Sequence, residues 1–244
     1  NKKSISMIIL YLFVFAYLAA IVGFLSFQMI EGLLQIHQEQ IFLGVILLGI
    51  GLFVLIQTIF SAISLLYYSK DNEYILPLPL KPSQILMAKT NVLLLTEYII
   101  VAIIGLIPFV IYGYMTGANI LYYISMIVVL LVFPIIPILV SSMLVLIVMS
   151  FSKFTKNKNR FQLIATILIL VVVFGLSFTT SGKQTSQEEM IQLLTKANGL
   201  VEMIEGKIPT LKMAIDALAN SNTITTLLNL AGILVITGIL YAIY

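Results

Sequence analysis

Apolar residues run along this chain in long, almost unbroken blocks, with polar residues gathered between them. Six blocks approach or exceed the roughly 20 residues of helix that cross a hydrocarbon core. They are Met7–Phe27, Ile41–Leu66, Val92–Tyr112, Leu121–Met149, Phe161–Phe178 and Ile224–Ile243. A strand barrel would instead show weak alternating segments of about ten residues. The pattern predicts an all-α polytopic membrane protein with six transmembrane helices in a single transmembrane domain, residues 1–244. The fourth block holds Pro134 and Pro137, and prolines inside a span remove backbone donors, so a kink or break is expected there.

The polar stretches set an orientation. Lys2 and Lys3 precede the first block. Lys70, Lys81 and Lys89 follow the second, and Lys153, Lys156, Lys158 and Arg160 follow the fourth. These regions share one side if every block crosses, and the excess of Lys and Arg makes that side cytoplasmic. Both termini are therefore expected inside a plasma membrane. The opposite connections carry Glu31, His37 and Glu39, then the uncharged Met115–Asn119, then a longer segment of mixed charge.

That longer segment, about residues 179–223, is expected outside as an amphipathic helical segment. Ser186 and Glu189 have the spacing of a capping box, and Met190, Leu194, Ala197, Val201 and Ile204 form one apolar stripe. Gly206 suits a helix stop. A second short helix is expected from Pro209 and Thr210, with Leu211, Ala214, Ile215 and Leu218 on one face. The segment reads as a hairpin on the outer leaflet or a cap on the bundle, with a gating element as the sharper alternative.

Composition narrows the chemistry. Hydrophobic residues make up 61% and charged residues 9% of the chain, with mean hydropathy +1.13. A soluble domain carries about 25% charged residues, so a water-soluble fold is excluded. The net charge of +3 lies in the connections and does not point to nucleic acid. There is no cysteine, hence no disulfide or thiolate site, and the single histidine cannot build a histidine-rich metal site. Neither GxxxxGK[ST] nor GxGxxG occurs. No catalytic and no metal residues are assigned, and the chain is expected not to be an enzyme.

One charge sits within a block: Glu97, in Leu93-Leu94-Leu95-Thr96-Glu97-Tyr98. An intramembrane carboxylate is costly enough to stand as a functional candidate. A structural reading, reaching the interface or pairing with Lys89, is the alternative. Gln57, Gln162 and Asn229 are expected to bond between helices.

The connection after the second block reads Tyr67-Tyr68-Ser69-Lys70-Asp71-Asn72-Glu73-Tyr74-Ile75-Leu76-Pro77-Leu78-Pro79-Leu80-Lys81-Pro82-Ser83-Gln84-Ile85-Leu86. Pro77, Pro79 and Pro82 prevent a continuous helix and stiffen the chain, after which Ser83 is expected to cap the next helix. Asp71, Asn72 and Glu73 run against the positive-inside trend, and Tyr74 with Ile75 could anchor in a protein partner. An ordinary interfacial turn fits the residues equally well.

This loop, followed by Ala88-Lys89, resembles that of ABC-2-type permeases of ABC exporters, especially those of Firmicutes. The resemblance implies the membrane-spanning half of an ATP-driven exporter, with Lys70, Asp71, Asn72, Glu73, Tyr74, Ile75 and Leu76 as the element that couples to a separate cytosolic ATPase dimer. ATP and Mg would then sit on that partner and no cofactor on this chain. A second six-span half, in the remainder of a longer permease or in a homologous subunit, would complete the pathway within the bilayer. The family's elbow helix has no room in Asn1–Ser6. Two rival readings are an ion-coupled secondary transporter using Glu97 and a non-transporting membrane scaffold.

Overall fold

The structure is a computed structural model that describes residues 2–75, 77, 79–151, 167, 208–219 and 223–244. Among these residues every regular element is a helix: α1 (Lys2–Gln35), α2 (Gln40–Tyr67), α3 (Asn72–Ile75), α4 (Pro82–Val101), a π-helical segment (Ala102–Leu106), α5 (Ile107–Met115), α6 (Ile120–Val132), α7 (Ile135–Phe151), α8 (Pro209–Ala219) and α9 (Thr223–Ile243). Five stretches are long and apolar enough to cross a membrane: Phe13–Gln35, Gln40–Tyr67, Pro82–Met115, Ile120–Ser150 and Thr223–Ile243. The expected span Phe161–Phe178 lies outside the described residues apart from Ile167, as do Ser186, Glu189, the stripe Met190–Ile204 and Gly206. The structure thus carries five of the six expected spans.

α1 runs beyond the expected end at Phe27 to Gln35, because Gln28, Glu31 and Gln35 are all good helix formers. It stops where His37 takes a left-handed φ of 55° and the Gln38 N–H turns back to the Leu33 carbonyl at 3.0 Å. At the same end of the bundle α5 closes with Gly117 at φ 65°, and the Ala118 N–H reaches the Gly113 carbonyl at 2.9 Å. Asn119 then caps α6 by accepting the Tyr122 N–H at 3.1 Å.

Lipid tails are as apolar as leucine, so helices here associate by close packing and interhelical hydrogen bonds. α2 is central, packed on α7 and α4, while α1 lies at the edge against α5. α8 is no loose hairpin: Leu211, Ala214, Ile215 and Leu218 are buried as the spacing predicts, together with Ala217. They pack on α2, α6 and α9, wedging the bundle at the end of the α1–α2 and α5–α6 turns.

Prolines shape two spans. The fourth breaks at Phe133–Pro134, between α6 and α7, while Pro137 stands in the first turn of α7 where a missing N–H costs little. The break leaves the Leu131 carbonyl without its usual partner, and the Tyr98 hydroxyl donates to it at 2.6 Å. In the third span the π-helical turn comes directly before Pro108. A proline ring clashes with the carbonyl four residues earlier, and a wider turn relieves that clash.

Candidate intramembrane polar layer

The turn that joins α2 to α4 defines one end of the bundle. Pro82 starts α4, so the capping position falls on Lys81: the Gln84 side chain accepts the Lys81 N–H at 3.1 Å, and the Gln84 N–H reaches the Lys81 carbonyl at 2.9 Å. This corrects the expected cap at Ser83, which lies inside the first turn, because proline at the first helical position fixes the start two residues earlier. Lys89 is buried, and its Nζ donates to the Leu65 carbonyl at 2.7 Å near the end of α2. The Thr90 and Tyr244 hydroxyls bond at 2.8 Å, and the Tyr241 hydroxyl donates to Asn91 at 3.3 Å, tying α9 to α4.

Glu97 stands eight positions beyond Lys89, about 12 Å further along α4 at 1.5 Å per residue. Its side chain is 1% exposed, so it does not reach the interface, and its Oε2 has no hydrogen-bond partner. Lys89 is committed to Leu65 a full two turns away. Among the described residues no other basic side chain stands near that depth on any span.

Three hydroxyls lie at the same depth on the neighbouring helices. Thr58 precedes Leu65 by seven positions, about 10 Å along α2, and Thr237 precedes Tyr244 by seven, about 10 Å along α9. Ser142 adjoins Ser141, whose hydroxyl bonds the Leu55 carbonyl at 3.0 Å, one turn from Thr58. Thr58, Ser142 and Thr237 are buried, and none of their hydroxyls has a hydrogen-bond partner. Ser142 also lies near the Tyr244 hydroxyl, short of hydrogen-bond geometry.

The apolar core divides into two clusters near this depth. One cluster includes Val54 on α2, Val101 on α4 and Ile138 on α7. A second includes Ile59, Ala62 and Ile63 on α2, Leu93 on α4, and Val145 and Met149 on α7. Thr58 and the Ser141–Ser142 pair fall between the two clusters on α2 and α7, whereas Glu97 is flanked on α4 by Leu94 and Val101, both of the first cluster. The candidate site is therefore one buried carboxyl and three buried hydroxyls that helix rise places at similar depth. It can bind small polar groups; among the described residues no three or more of His, Asp and Glu gather as a metal site.

Sequence reading singled out Glu97 but not its companions. Gln57 is exposed and Asn229 half-buried, while the neighbouring Thr58 is the residue turned inward on α2. Gln162 lies outside the described residues. Of the loop residues, Lys70, Asp71 and Glu73 are exposed, and Tyr74 on α3 is 78% exposed. Ser69 organises the turn, accepting the Asp71 N–H at 3.3 Å and donating to the Asp71 carboxylate at 3.2 Å. Pro77 and Pro79 are exposed, Pro82 opens α4, and Leu76 lies outside the described residues.

No curated protein and no solved structure matches this chain. A family model described as "Putative ATP-binding cassette" matches residues 2–239. This match overturns the ABC-2-type permease resemblance and the reading built on it, a permease half of an exporter coupled to a separate ATPase. It supports neither the ion-coupled transporter nor the scaffold. It also overturns the expectations that the chain is no enzyme and that ATP belongs only to a partner, because the family's own description names ATP binding. The resemblance rested on about twenty loop residues and, in general terms, on the six-span layout, whereas the match runs along nearly the whole sequence. By that match, the chain belongs to the putative ATP-binding cassette family.

Proposed function

We propose that this chain is an integral-membrane member of an ATP-binding-cassette system, with both termini on the cytoplasmic side. One observation carries the reading: the cassette family match extends over residues 2–239 of a chain whose described residues form five helices long and apolar enough to cross a membrane. The family's description makes ATP the ligand of the system, with magnesium as the usual counter-ion of its phosphates. The described residues do not fit a triphosphate: they form no strand-to-loop-to-helix cradle, and Lys89 is already held by Leu65. No step through the nucleotide is assigned to them.

The turn at residues 69–82 is the surface this reading assigns to another component of the system. Its charges at Lys70, Asp71 and Glu73 are exposed, and Tyr74 projects an aromatic ring beside Ile75. Exposed aromatics are the usual anchors of protein interfaces.

Binding of a fluorescent ATP analogue and ATP hydrolysis should be measured on the detergent-purified chain and on the assembly that copurifies with it. Binding in either preparation supports the cassette reading, and its absence from both overturns it. For the surface, Tyr74→Ala with Ile75→Ala should strip copurifying proteins while membrane insertion persists. Full retention of those proteins would reject the assignment.

A further inference from the structure

We infer that the polar layer around Glu97 holds water, supplied along a track of hydroxyls from the bundle end at Lys89, Thr90 and Tyr244. The inference stands apart from the cassette reading. It begins with what serine and threonine do elsewhere in this chain. Ser26, Thr90, Thr96 and Thr116 each donate to the carbonyl four residues earlier, at 2.7, 3.0, 2.6 and 2.7 Å. That bond is open to any helical hydroxyl and normally satisfies one in an apolar setting.

Thr58, Ser142 and Thr237 are helical and buried, yet none of them makes it; Ser125 on α6 is a fourth such hydroxyl, away from these three. Their hydroxyls, and the Oε2 of Glu97, are unpartnered at one depth. A buried polar group without a partner costs about 1–3 kcal/mol, so orphans gathered in one layer call for a shared ligand. Hydroxyls and a protonated carboxyl both donate and accept, and water serves both kinds of group. Buried water typically makes about three such bonds.

The track has a continuous course. It would run from Glu97 and Thr58 to Ser142, which lies near the Tyr244 hydroxyl. The Tyr244 hydroxyl bonds Thr90, and Asn91 with Tyr241 follows at the bundle end. In the opposite direction the apolar cluster of Val54, Val101 and Ile138 closes the layer. Water therefore enters from one end only.

The chain has no native cysteine, so single cysteines report on this directly. Thr58→Cys, Ser142→Cys and Thr237→Cys would be made in the full chain, in membrane vesicles, beside Ile138→Cys and Leu139→Cys as fully buried apolar controls. A small methanethiosulfonate reagent attacks the thiolate, which forms only where water reaches, so the layer positions should react at least about tenfold faster than the controls. Rates equal to the controls overturn the track. Protection of the layer by sodium chloride but not by choline chloride would assign it to a bound cation and overturn water as the occupant. A second measurement needs no cysteine. The infrared band of the Glu97 carboxyl, identified by its loss in Glu97→Gln, should shift within seconds of transfer to D2O. A band that stays put for hours also overturns the track.

Discussion

Gly113→Ala is the substitution whose cost the structure specifies most sharply. A Cβ there would stand 2.6 Å from Cε1 and 3.0 Å from Cδ1 of Tyr122, and 3.0 Å from the Tyr123 hydroxyl. The Tyr122 ring cannot retreat. Its hydroxyl donates to the Phe109 carbonyl at 2.7 Å, and its faces meet Tyr112 and Tyr123 with centroids 5.7 and 5.3 Å away. Overpacking a fixed core costs about 1–3 kcal/mol, and loosening the buried hydroxyl bond adds about 1 kcal/mol. The gain of alanine over glycine in a helix offsets about 1 kcal/mol of this. The net loss is about 2 kcal/mol, or about 6 °C in Tm for a chain of this size. Thermal unfolding in detergent, followed by loss of the monodisperse peak, reads it. Gly49→Ala supplies the control, since nothing lies within 4 Å of its Cβ position, and it should hold or raise Tm. If Gly113→Ala is as stable as Gly49→Ala, the tyrosine cluster is not the rigid wall described above.

Gly105→Ala should cost less than Gly113→Ala in the same assay, because its Cβ meets only the flexible ends of Leu130 and Ile50 at 2.7 and 2.9 Å; a larger loss would contradict the reasoning. Lys89→Met removes the donor to the Leu65 carbonyl and should lower stability by about 1–2 kcal/mol, with Lys89→Arg retaining part of it; an unchanged Tm for Lys89→Met refutes that role. On α8, burial raises the pKa of Asp216 above its ordinary value, with Lys212 one turn earlier opposing the shift. A raised carboxyl binds more protons folded than unfolded, so stability falls as pH rises from the unfolded pKa through the folded one. The Tm of wild type relative to Asp216→Asn should therefore decline as pH rises from about 4; a flat difference refutes the burial account.

Much of the fold was legible because burial in lipid requires long apolar runs, and those runs are plain in the sequence. The face of Leu211, Ala214, Ile215 and Leu218 was legible for the same reason: helical spacing states which residues share a side. Glu97 stood out as a lone charge in an apolar block. Its companions did not. A threonine such as Thr58 or Thr237 inside a span ordinarily bonds its own backbone, and only the fold shows that these do not. Gln57 looked the better partner, yet its neighbour is the residue turned inward, a difference of about 100° around the helix axis. The cap at Lys81 could have been found, since Pro82 prefers the first helical position. The loop at residues 69–82 led astray on function because short turns of prolines, aromatics and mixed charge suit many membrane edges. Nor could the cassette relation be read from nucleotide chemistry, since the sequence lacks the usual phosphate loop.

The polar layer also bears on how the bundle deforms. Interdigitated apolar side chains resist sliding because every displacement opens voids. Hydroxyls and a carboxyl can exchange partners as they move. Load applied at the α2–α4 turn would be passed rigidly through the cluster of Ile59, Leu93 and Val145 and then meet a plane of low shear stiffness. Beyond it, the larger cluster around Phe42, Phe109 and Ile215 would move as a second rigid piece. Strain would collect in the plane between the two pieces instead of spreading evenly along the helices.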